Sequence, residues 1–206
     1  MAGMARQRTI IALLTLAALI PVIALASLKT AYGPSEPATG LAEGLEEAQR
    51  GGMGKACASI GNKKPGQAIR WLLDNHDRFN WSLKLYPEEW RLEWNITAED
   101  PEAADTLYYH VLQMECILEN GGKPRAWDPV FKLEAELTEY IDTQVELIGD
   151  TTVRVVKTAE NECAWETIKL HAEVVKGFFE TGREEARKIH PIPEEVKEKC
   201  SQYLEE

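Results

Sequence analysis

The sequence predicts an α+β domain in which a strand–turn–strand–helix unit occurs twice, building one antiparallel four-stranded sheet with helices on one face and a pseudo-twofold axis. Three observations predict it. Residues 97–121 and 158–182 align without a gap at an offset of 61, with Thr97/Thr158, Ala98/Ala159, Glu99/Glu160, Ala103/Ala164, Thr106/Thr167, His110/His171, Glu119/Glu180 and Gly121/Gly182 identical. That is 8 identical pairs in 25, where chance gives roughly one or two. Upstream, the alternation of apolar and polar residues in Ser82–Tyr86 and Trp90–Thr97 marks two strands with one wet face, and 145–153 repeats it after a one-residue deletion. Finally, the segments after the strands open with helix caps, Asp100-Pro101 and Asn161, and close on Gly121 and Gly182. The repeats span 82–121 and 143–182, and because an isolated hairpin is marginally stable the two must share a core.

Before the repeats, 206 residues leave room for extra segments. Residues 9–28 carry no charge, follow Arg6 and Arg8, and end beside Ala24-Leu25-Ala26, so 1–28 reads as a signal peptide or as an apolar membrane-anchoring helix. Either places the remainder outside the cytoplasm. Residues 29–54, rich in Gly, Ala, Pro, Ser and Glu without apolar periodicity, read as a flexible linker, and 55–206 as the folded domain. The predicted first helix runs Gly66–Phe79, another starts at Asp128-Pro129 and reaches about Tyr140, and the second long helix extends to Ile189 before a short acidic helix carrying Cys200.

Composition excludes some partners. After residue 28 there are 34 acidic against 21 basic side chains, a surface that repels phosphate backbones, so nucleic acid is not expected. Cys57, Cys116, Cys163 and Cys200 lack a Cys-x-x-Cys spacing, which favours disulfides over a zinc site in an exported chain; Cys57–Cys200 with Cys116–Cys163 is the expected pairing. Gly-x-Ser-x-Gly, phosphate-binding glycine loops and His-Glu-x-x-His are absent from the sequence, which weakens an enzymatic reading.

The chemistry-bearing residues are the histidines. His110 lies on the stripe Ala103, Leu107, His110, Met114, Ile117, and His171 on Ala164, Ile168, His171, Val175, Phe178, both at helical spacing that turns one face inward. His76 shares a side with Leu72 and Phe79, and His190 precedes Pro191 in an extended stretch. Two inward histidines related by a twofold suit non-covalent haem or a transition metal, with His110, His171 and Met114 as cofactor ligands and His76 and His190 as further metal ligands. The alternative is a structural or protein-interaction domain of the cell envelope whose histidines are core residues. Trp90 and Trp94, at even spacing, form an aromatic platform if helices do not cover their face.

Leu72-Leu73-Asp74-Asn75-His76, Glu99-Asp100-Pro101, Trp127-Asp128-Pro129-Val130-Phe131, Leu170-His171-Ala172-Glu173-Val174-Val175 and His190-Pro191-Ile192-Pro193 together resemble a family of small exported prokaryotic proteins of unassigned function. The resemblance covers about 68–193 and implies the domain limits and the importance of the histidine positions. The cysteines lie outside that pattern.

Overall fold

Alternating strands followed by capped helices produce an α+β domain around one four-stranded antiparallel sheet. A computed structural model of the chain describes residues 56–204. The apolar run 9–28 and the linker 29–54 lie outside the described residues. Among the described residues no helix is long and apolar enough to cross a membrane.

The chain runs α1 (Pro65–Asp74), a 3-10 turn (His76–Arg78), β1 (Phe79–Tyr86), β2 (Arg91–Ala98) and α2 (Pro101–Glu119). It continues with α3 (Pro129–Glu136), a second 3-10 turn (Thr138–Tyr140), β3 (Ile141–Ile148), β4 (Thr152–Ala159) and α4 (Glu162–Thr181). The order helix, 3-10 turn, strand, strand, helix thus occurs twice, one helix and one turn more than the expected ββα. The expected single helix over 66–79 is divided, because Asn75 leaves helical geometry and Phe79 already pairs with Ala98. Likewise α4 ends at Gly182, whose positive φ of 57° closes it ahead of α5 (Arg183–Ala186). The tail forms α6 (Glu194–Lys199) and α7 (Ser201–Leu204), with Cys200 between them.

Strand order is β1-β2-β4-β3, every neighbour antiparallel. Leu92, Trp94, Ile96 and Ala98 of β2 and Val153, Val155, Lys157 and Ala159 of β4 point into the core, as a period of two requires. The other face exposes Asn80, Ser82, Lys84, Asp142, Gln144 and Glu146. The helices therefore cover one face, the one to which Trp94 belongs. Trp90 is not in the strand: it sits in the β1–β2 turn with φ 47°, 39% exposed, while Trp94 is buried. The two do not form an aromatic platform, since the turn residue lacks the pleat that would align them.

Both long helices are capped as the sequence predicts. Asp100 accepts from the Ala103 amide at 3.0 Å and Asn161 from the Ala164 amide at 2.9 Å. A second apolar cluster, Val130, Leu133, Leu137, Val174, Ile192 and Val196, joins α3, α4 and α6.

The disulfides are Cys57–Cys116 and Cys163–Cys200, not the expected pairing. Gln113, fully buried on α2, donates to the carbonyls of Ile60 and Lys63 at 2.6 and 2.7 Å and so holds the segment around Cys57 on that helix. Cys200 is packed with Cys163 in the second cluster. Each bridge ties a terminal segment to the nearer long helix. Two disulfides fit folding in an oxidising compartment outside the cytoplasm.

Candidate functional site

The apolar stripes of α2 and α4 do not close on each other. Between them, α1 and the sheet lies a cavity of about 620 Å³. Its floor is sheet, with Trp94 and Val155, and its sides carry Leu107, His110, Met114 and Ile117 from α2 and Ile168, His171, Val175 and Phe178 from α4. His76 also reaches it. Close packing normally leaves few voids larger than a water molecule, so a space of this size is a feature of the fold.

Each histidine has a different setting. His76 donates Nδ1–H to the Phe179 carbonyl at 3.0 Å, which fixes its tautomer. His171 Nδ1 lies 2.9 Å from Glu134 Oε1, and its ring meets Phe131 edge-on at 5.1 Å. His110 sits deep in the protein, and burial alone pushes its pKa down to about 4. Its Nδ1 is buried with no partner among the described residues.

His190 is elsewhere. Its Nδ1 bonds Asp128 Oδ2 at 2.6 Å and its Nε2 bonds Glu185 Oε1 at 3.1 Å, so both ring nitrogens are engaged away from the cavity. Asp128, fully buried, also caps α3 by accepting from the Val130 amide at 3.1 Å and pairs with Arg125 at 3.2 Å. The closing His-Pro-Ile-Pro segment is thereby latched to the start of α3.

The wall also holds charges that the histidine stripes did not reveal. Lys157, on the inward face of β4, donates to Glu134 at 2.8 Å and to Glu115 at 3.2 Å. Burial raises the pKa of the Glu134 carboxyl, but the His171 ring and the Lys157 ammonium outweigh it and hold the group well below the usual carboxylate range. For Lys157, burial acts downward and is outweighed by Glu134 and Glu115, which hold the ammonium protonated. A lysine at the third inward position of Val153, Val155, Lys157, Ala159 was the available sequence signal.

In α1 and α3 the buried pairs Ala68/Val130 and Leu72/Glu134 are each 62 apart, and in the central strands Ile96 stands 61 before Lys157. At these offsets the first half carries the apolar Leu72 and Ile96 where the second carries Glu134 and Lys157, the two charges nearest His171.

Among the described residues no three His, Cys, Asp or Glu side chains are grouped to hold a metal ion. Of the residues expected to bind a cofactor, His110, His171 and Met114 all line the apolar wall of the cavity. Comparison with protein-family models, with curated proteins and with solved structures finds no match.

Proposed function

We propose that this chain is an exported binding module that holds non-covalent haem in the cavity between its two long helices. The observation that carries the reading is that His110, Met114, His171 and His76 share the wall of one mainly apolar space of about 620 Å³, within the size range of small-molecule sites. A porphyrin suits this wall better than a bare transition-metal ion, because it supplies four ring nitrogens of its own and buries apolar surface. His171 is the leading axial ligand. Its Nδ1 is anchored on Glu134, the arrangement in which an outer carboxylate orients a ligating imidazole, leaving Nε2 for iron. His110, kept neutral by burial, or Met114 one turn on, would be the second residue to hold the iron.

We further infer that the two halves descend from a duplicated unit, supported by the offset of 61 in sequence and by the doubled element order. The uncharged run 9–28 then acts as a cleaved signal or as a membrane anchor, with 29–54 as the tether.

Titrating the ligand-free protein with hemin tests the function. A saturable shift of the Soret band at one equivalent is expected, lost in His171→Ala and retained in His190→Ala. A spectrum that stays that of free hemin would sink the haem reading. The envelope interaction domain would then take first place, favoured by the exposure of Trp127 (56%) and Ile189 (65%).

A further inference from the structure

The chain carries a net charge of −11, yet the cavity wall has the opposite balance. Lys123, Arg125 and Lys157 face two acidic side chains, Glu115 and Glu134. Lys157 is taken by both carboxylates, which leaves Lys123 and Arg125 as the cations of the wall. Lys123 is half exposed and pairs with Glu136 at 2.5 Å.

Arg125 is the unusual one. Its backbone has φ 56°, a left-handed conformation that residues other than glycine rarely adopt. Its guanidinium lies 4.4 Å from the centre of the Trp127 ring, 4.7 Å from Phe131 and 5.4 Å from Phe178. Nη1 donates to the Ala186 carbonyl at 3.0 Å and Nη2 to Asp128 at 3.2 Å. Nε is buried without a partner among the described residues. Asp128 accepts from Arg125, lies 2.6 Å from His190 Nδ1 and caps α3, so one buried carboxylate serves three partners. A left-handed backbone that holds a guanidinium with one unfilled donor at the wall of an apolar cavity makes Arg125 the candidate anchor for an anionic group.

We propose that the ligand of this cavity is an amphipathic carboxylic acid, its carboxylate seated on Arg125 with Lys123 beside it and its apolar body over Trp94 and Val155. The proposal rests on the cavity being a ligand site and is independent of iron ligation. Because Nε is closed to solvent, seating the acid requires the fork to exchange the Ala186 carbonyl or Asp128 for the incoming carboxylate. Haem meets the requirement through its propionates and a long-chain fatty acid through its head.

The full-length protein, stripped of small molecules, is titrated by calorimetry with palmitate, methyl palmitate, protoporphyrin IX and protoporphyrin IX dimethyl ester. At least one acid should bind tenfold or more tighter than its ester, and Arg125→Gln should bring that ratio close to one. The pair that shows the preference identifies the source. Equal binding of acid and ester overturns the carboxylate seat and leaves the cavity reading intact, whereas no binding by any of the four probes overturns both. If Arg125→Gln does not fold, the acid-to-ester ratio on the unaltered protein decides alone.

Discussion

Trp94 and Val155 lie directly opposite each other across β2 and β4, and they are 61 residues apart. Exchanging residue i for residue i + 61 maps this pair onto itself and every other pair in the ladder, from Arg91 with Thr158 to Thr97 with Thr152, onto another of its pairs. The offset that aligns the histidines in sequence is the one that leaves the central register unchanged. In the outer pairs the offset is 62 for β1 against β3, from Phe79 to Ile141. The single-residue difference is taken up in the turns, Pro87–Trp90 against 149–151.

The exchange of Leu72 and Ile96 for Glu134 and Lys157 makes a first prediction. Glu134→Leu leaves buried Lys157 with only Glu115, and Lys157→Ile leaves buried Glu134 with only His171, so either alone should cost up to about 3–5 kcal/mol. The double variant Glu134→Leu/Lys157→Ile removes both charges, carries the residue types found at positions 72 and 96, and should cost far less than the sum of the two. Urea denaturation measures all three; additive losses would show that the pair is not coupled.

The buried neutral His110 gives a pH dependence. Its folded pKa is lowered from 6.5 to about 4, so between those values the unfolded chain binds more protons than the folded one. Stability from this group is complete above pH 6.5 and falls as pH drops towards 4, by roughly 3 kcal/mol. Glu134 acts in the same direction, but only below its unfolded value of 4.5. In His110→Gln the loss between pH 6.5 and 4.5 should shrink; parallel stability curves for variant and wild type would refute the assignment.

Peptide mapping without reduction should recover Cys57 with Cys116 and Cys163 with Cys200. The bridges close segments of 59 and 37 residues, each worth about 4 kcal/mol in the chain-entropy account. Reduction should therefore lower the melting temperature strongly. A recovered Cys57–Cys200 peptide would contradict the fold.

Two glycines separate conformational cost from contact. Gly121 and Gly182 both have positive φ, but a Cβ at Gly121 meets nothing, while one at Gly182 meets the Leu73 carbonyl and the His76 ring. Gly121→Ala should cost about 1–2 kcal/mol. Gly182→Ala should cost roughly 3 kcal/mol or more, because backbone contact adds to the same strain. Thermal melts that rank the two equally would remove the close approach of α1 to the end of α4.

The sheet, both long helices and the inward histidines were legible because each rests on local periodicity: two for β2 and β4, three and four for the stripes through His110 and His171. What was not legible depends on partners distant in sequence. Glu134 finds Lys157 and His171 only after α3 packs on α4, and His190 finds Asp128 across 62 residues. The cysteines misled for a related reason. A bridge between the domain's two ends needs Cys57 and Cys200 to meet, but Gln113 fixes the first segment on α2 and the tail packs with α4, so each thiol meets another partner. The extent of Gly66–Phe79 was misjudged because apolar spacing continues through Asn75, although the backbone there turns towards β1.

The Cys57–Cys116 bridge also determines how the domain carries load. Tension arriving through the chain ahead of Cys57 passes through the sulfur pair directly to the far end of α2, and the 59-residue span between the two cysteines, which includes α1, β1 and β2, stays slack. A load applied ahead of Cys57 is thus held by a helix that the rest of the fold braces. Pulling could not peel α1 from the cavity or unzip β1 from the sheet edge until that bridge is reduced, so the same bond that closes the domain also acts as its strain relief.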